Sequence, residues 1–298
     1  MLTNAKRLAT GVTALAAAVA VAAAGAPAAS AKTTPVTFSK VSGDYQLIVK
    51  GKRSKVGSQK RFTNLKLTVV KNGEPGGLVN VKLTKKLSGE SWSIRPYLFL
   101  KDVNGDAVPD AIVDVYTGGA HCCQVSSIAL STGPSSWSKP IVESWGGFYS
   151  LDDIDKNGSS EFVASDMRFD YAFTSHAGSA LPIVIKAVQN GQLVDVTKSY
   201  PAKLRADADQ WIASLNDVLK DSPLDDPEGD RQLHRSLLAA AVADLVRLGA
   251  IDEAKTLIAQ AAARDDFKGE DDIWDTAVGK RLQEWGYVAD YAALGFPK

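Results

Sequence analysis

The chain reads Asp102-Val103-Asn104-Gly105-Asp106-Ala107-Val108-Pro109-Asp110, and 51 residues further on Asp153-Ile154-Asp155-Lys156-Asn157-Gly158-Ser159-Ser160-Glu161. Each stretch places Asp, Asn or Glu at relative positions 1, 3, 5 and 9. A short loop that curls about an ion turns every second side chain inward. This spacing therefore assembles most of the oxygen shell that a hard cation such as Ca²⁺ requires. An EF-hand uses similar alternation, but it needs a bidentate Glu at position 12 and a helix on each side. Position 12 is Val113 in one stretch and Ala164 in the other, and both stretches run into strand-like sequence. The loops belong to β structure.

Working outward, short alternating or β-branched runs recur at 45–50, 62–70, 78–84, 93–100, 111–116, 125–130, 162–164 and 183–188. Turn signals such as Asn72-Gly73, Gly133-Pro134 and Asn190-Gly191 separate them, as expected for an antiparallel arrangement. After Pro201 the apolar period lengthens. Leu204, Trp211, Leu215 and Leu219 make one helical stripe, and Leu233, Leu237, Val242 and Leu245 a second, stopped by Gly249. Ala254, Leu257 and Ala261 make a third, and Ile273, Ala277 and Leu282 a fourth. Strands followed by helices predict an α+β fold: a mainly antiparallel β domain over 32–200 and a small helical bundle over 201–298.

The two loops with their flanking strands resemble the calcium loops of FG-GAP and VCBS-type repeats, the blades of integrin-like β-propellers. The likeness lies in Leu100 to Val113 and again in Leu151 to Val163. It implies Asp102, Asn104, Asp106, the Val108 carbonyl and Asp110 as one ligand set. Asp153, Asp155, Asn157, the Ser159 carbonyl and Glu161 would form the other. The implied Ca²⁺ is structural, fixing the turn and neutralising crowded carboxylates. Ala107 stands where the family often has Gly, Lys156 intrudes, and Glu161 replaces the commoner Asp. A closed propeller has about four to eight blades, so two copies predict a partial, blade-like arrangement.

Residues 1–31 read as a signal peptide: Lys6 and Arg7, a short apolar run, then Ala29-Ser30-Ala31, as a cleavable leader is built. The expected compartment is secreted, periplasmic or cell-envelope. The near-zero total charge hides an asymmetry. Residues 32–100 carry 14 Lys and Arg against 3 Asp and Glu, whereas 101–200 carry 6 against 12 and 201–298 carry 12 against 19. Alternating Lys on half-buried strands is ordinary solvation and discourages edge pairing. It also fits an anionic partner, such as an envelope polymer or an acidic protein surface. Nucleic acid is not expected, since no recognition module accompanies the charge.

Cys122 and Cys123 are the two cysteines of the chain. An exported setting favours their oxidation, so a vicinal disulfide is the first expectation, with intermolecular pairing and buried thiols as alternatives. A Cys nucleophile with His121, His176 or His234 as base is a further alternative, without a family signature to support it. Glu143 reads as a strand-edge acid. The sequence thus points to an exported, non-enzymatic binding or scaffold protein with Ca²⁺-stabilised loops. The alternative is an envelope hydrolase using acidic or Cys/His residues.

Overall fold

The computed structural model describes residues 32–56, 59–75, 96–116, 123–221, 227–268 and 277–297. The expected leader and the strand expected at 78–84 lie outside them. The first sheet comprises β1 (Thr34–Ser42), β2 (Tyr45–Val56), β3 (Gln59–Lys71) and β4 (Glu74–Pro75), antiparallel in that order. Alternation puts Leu47, Val49, Leu67 and Val69 in the core and sets exposed Lys50 directly opposite exposed Lys66. Asn72-Gly73 turns β3 into β4 with both φ values positive. Such a two-residue turn matches the right-handed twist of strands.

The second sheet contains β5 (Tyr97–Lys101), β6 (Asp110–Tyr116) and β7 (Gln124–Ala129). A short ribbon of β8 (Ser131–Gly133) and β9 (Ser136–Trp137) leads to β10 (Ile141–Ser144), which closes the order β10-β7-β6-β5. The third sheet runs β11 (Tyr149–Asp152), β12 (Glu161–Ser165), β13 (Ile183–Gln189) and β14 (Gln192–Asp195). The second sheet lies between the other two. Ala111, Val113 and Val115 of β6 pack with Leu47, Leu67 and Val69, while Ile112 and Ile128 pack with Trp145 and Phe162 on the far side. Burial on both faces explains why β6 reads as a nearly continuous apolar run. The described sheets are antiparallel and close into neither a barrel nor a propeller.

Among the described residues four α-helices follow: α1 (Pro201–Asp221), α2 (Pro227–Leu248), α3 (Ile251–Ala263) and α4 (Val278–Glu284). The fold is α+β, as expected. Leu237, Leu238, Val242 and Leu245 of α2 share a core with Ile258, Leu282, Phe169 and Phe173. At the end of α2, Gly249 takes φ 78°. Its N–H reaches the Val246 carbonyl and the Ala250 N–H the Leu245 carbonyl, the double bond that ends helices on a left-handed residue. Helices and third sheet meet at Ile183. Its N–H donates to Asp207 Oδ2 of α1 at 2.9 Å, and its carbonyl accepts from Arg247 Nη1 of α2 at 2.7 Å. Beside this clamp, fully buried Asp244 is pushed up to about 10 by burial and then by Asp207, so it is protonated at neutral pH. No described helix is long and apolar enough to cross a membrane.

Candidate metal centre

Both acidic stretches fold into the same loop at the same place in their sheets. The first joins β5 to β6 with Lys101 opposite Asp110, and the second joins β11 to β12 with Asp152 opposite Glu161. Relative position 9 seals each turn: Asp110 Oδ2 accepts from the Val103 N–H at 2.7 Å, and Glu161 Oε2 from the Ile154 N–H at 3.0 Å. Position 1 gathers the tip. Asp102 accepts from the Gly105 and Ala107 N–H groups, both at 2.7 Å. Asp153 accepts from Asn157 at 2.9 Å and Gly158 at 3.0 Å. Backbone φ is positive at positions 4 and 6 of each loop, held by Gly105 and Ala107 in one and Lys156 and Gly158 in the other. The loops touch, the Ser160 N–H donating to the Asp102 carbonyl at 2.9 Å.

They differ in how far their acids converge. Carboxylate oxygens of Asp153, Asp155 and Glu161 lie within 4.8 Å of one another, the one such acidic triad among the described residues. Three carboxylates at that separation form an all-oxygen donor set, which suits a hard cation and not a soft one. Asn157 adds a side-chain oxygen, now accepting from the Ser159 N–H at 2.7 Å. Tyr200 borders the triad; its phenol is pushed up by burial, then by Glu161, Asp155 and Asp153. In the first loop, β8 supplies partners instead. Ser131 Oγ donates to Asp106 Oδ2 at 2.6 Å, its N–H to Asp110 Oδ1 at 2.6 Å, and Asn104 Nδ2 donates to its carbonyl at 3.1 Å. Asp106 Oδ1 accepts from the Val108 N–H. Asp110 is fully buried and raised to about 6, because burial outweighs its backbone hydrogen bonds.

Cys122 and His121 lie outside the described residues, so the expected vicinal pairing is a proposal. Cys123 is not a free thiol, and its N–H donates to the Gly146 carbonyl. His176 is half-buried with Nδ1 2.7 Å from Asp170 Oδ1, and His234 is buried with Nδ1 3.0 Å from Asp266 Oδ1. Glu143 sits on edge strand β10 as expected, though not alone: Lys186 Nζ is 2.7 Å away. Sequence reasoning missed buried Asp114. It accepts from Gln124 Nε2, Ser126 Oγ and Tyr149 OH at 2.9, 2.5 and 2.9 Å. Its signal was available: a polar Asp inside an apolar β6, opposite Ser126.

No family model and no solved structure matches the chain. It is 35% identical over 147 residues to a probable thylakoid lumen protein of Synechocystis sp., covering 49% of this chain and 41% of that protein. It is 37% identical over 90 residues to an uncharacterized protein of Sinorhizobium fredii, covering 30% of this chain and 14% of that protein. The matches thus span less than half of either curated relative.

Proposed function

We propose that the chain is an exported, non-enzymatic binding or scaffold protein whose β loops are braced by Ca²⁺. Its contacts are with proteins or anionic envelope polymers. The observation that carries the metal reading is the convergence of Asp153, Asp155 and Glu161 within 4.8 Å, on a turn repeated at Asp102 to Asp110. Those residues, with Asn157 and the Ser159 carbonyl, would hold the ion, in keeping with the resemblance to FG-GAP and VCBS-type loops. A bound divalent ion supplies the positive charge that offsets three crowded carboxylates. The protein's own residues fix the turn through the Ile154 and Gly158 N–H groups. Export is supported by the leader-like 1–31 and by a relative named for a lumenal compartment.

The test is a thermal melt of the full chain in EDTA, Mg²⁺ and Ca²⁺. Extracellular sites hold Ca²⁺ at roughly 10⁻⁴–10⁻³ M, so ~10 mM should add about 1.4–2.7 kcal/mol. That is a rise of about 3–10 °C for one site, and Asp153→Ala should lose the second loop's share of it. A melt that EDTA and Ca²⁺ leave unchanged defeats the metal reading. The partner reading is decided by what an envelope fraction yields to the immobilised protein with and without Ca²⁺.

A further inference from the structure

A cleft of about 600 Å³ opens where β10, the ends of β12 to β14 and α2 come together. That size falls within the about 300–1,000 Å³ of small-molecule sites. Three cation–anion couples line it, and two are complete. Lys186 Nζ meets Glu143 Oε1 at 2.7 Å. Arg168 gives Nε and Nη2 to Asp166 at 2.5 to 3.0 Å and Nη1 to the Trp285 carbonyl at 3.0 Å. The third is open. Arg247 Nη2 lies 3.7 Å from Asp195 Oδ2, beyond hydrogen-bonding reach.

Arg247 is nevertheless rigidly held. Its Nη1 is spent on the Ile183 carbonyl, its guanidinium lies 4.5 Å over the Tyr287 ring, and its side chain is only 11% exposed. A guanidinium fixed from behind, with a donor facing a cleft, is preorganised for a carboxylate. Asp195 is fixed as well, its Oδ1 accepting from the Thr197 N–H and Oγ1 at 2.9 and 2.6 Å. Its Oδ2 is the acceptor left facing Arg247. The gap therefore presents the Nη2 donor of Arg247 beside one carboxylate oxygen.

We infer that this cleft binds a small zwitterion, of the α-amino acid or short-peptide class, carboxylate on Arg247 and ammonium on Asp195. The lining's charges sum to zero over its three couples, so a ligand of one sign would leave a charge uncompensated in a partly desolvated space, and a zwitterion would not. Val184 and Leu193 offer its side chain an apolar wall. The site is separate from the acidic loops and does not rest on the metal reading.

Calorimetric titration of the full chain in EDTA with leucine, N-acetylleucine and leucinamide tests it. Leucine should bind saturably, and the two blocked forms at least about tenfold more weakly, each lacking one charged hydrogen bond. Asp195→Asn and Arg247→Lys should each cost leucine a similar factor. If Arg247→Lys fails to fold, Asp195→Asn decides alone. No saturable heat from leucine, phenylalanine or glycylleucine overturns the site. Equal affinity for the blocked forms, or an unaltered Asp195→Asn, overturns the zwitterion assignment.

Discussion

Ala107 and Lys156 hold side chains at φ 63° and 59°, where their loop mates Gly105 and Gly158 sit at 81° and 93°. Each loop needs left-handed backbone twice, and each supplies Gly once. An L-residue there costs about 1–2 kcal/mol, partly offset because Gly loses roughly 0.5–1 kcal/mol more in chain entropy on folding. Ala107→Gly and Lys156→Gly should therefore each stabilise by about 0.5–1 kcal/mol, a rise of roughly 1–4 °C by calorimetry. Asp114 gives the second residue-scale prediction. Burial pushes it up to about 6 against the pull of Ser126 and Tyr149. A carboxyl raised in the fold binds its proton more tightly there than in the unfolded chain. Its contribution is full below about pH 4 and is lost as pH rises to 6. That loss is roughly 3 kcal/mol at about 1.4 kcal/mol per unit. Asp114→Asn should flatten this part of the urea stability profile between pH 4 and 6, while Asp110, likewise raised to about 6, keeps its own share.

At the scale of elements, α4 is docked by a missing side chain. A Cβ on Gly279 would stand 2.7 Å from a Tyr291 ring carbon and 2.8 Å from Phe296 Cβ. Both neighbours belong to the helical core, so overpacking should dominate over any gain in helix propensity. Gly279→Ala should cost about 1–3 kcal/mol, read from the urea midpoint at unchanged slope. Local chemistry made many elements legible beforehand. Asn72-Gly73 and Asn190-Gly191 are hairpin turns with positive φ, and Gly249 ends α2. What stayed hidden was non-local. Nothing in the sequence near Asp106 announces that Ser131, 25 residues away, donates to its carboxylate. Nor could loop spacing show that the second acidic set converges more tightly than the first. The Arg247–Asp195 gap joins an α2 side chain to the end of β14, a pairing set by the Ile183 clamp and by no motif.

Over the whole molecule, charge is segregated by whether it is paired. Residues 32–75 carry ten Lys and Arg against Asp44 and Glu74. Among the described residues none of those ten joins an ion pair, whereas the ion pairs seen draw their cations from Arg168 onward. Lys50 faces Lys66 across one strand pair and Lys55 faces Lys60 further along. Like charges directly opposite destabilise a sheet. Two roles are open to this face: a solvated outer surface, and a docking surface for a polyanionic partner that screens the repulsion. The two roles separate experimentally, because they predict opposite signs. The Lys50→Gln, Lys66→Gln double variant relieves repulsion and should leave the melting temperature equal or a few tenths of a kcal/mol better. Its affinity for immobilised polyglutamate at low salt should fall. For the unaltered chain that affinity should weaken as salt shortens the screening length from ~30 Å at 0.01 M to ~10 Å at 0.1 M. Retention that neither salt nor the double variant alters would show that the cationic sheet only solvates itself.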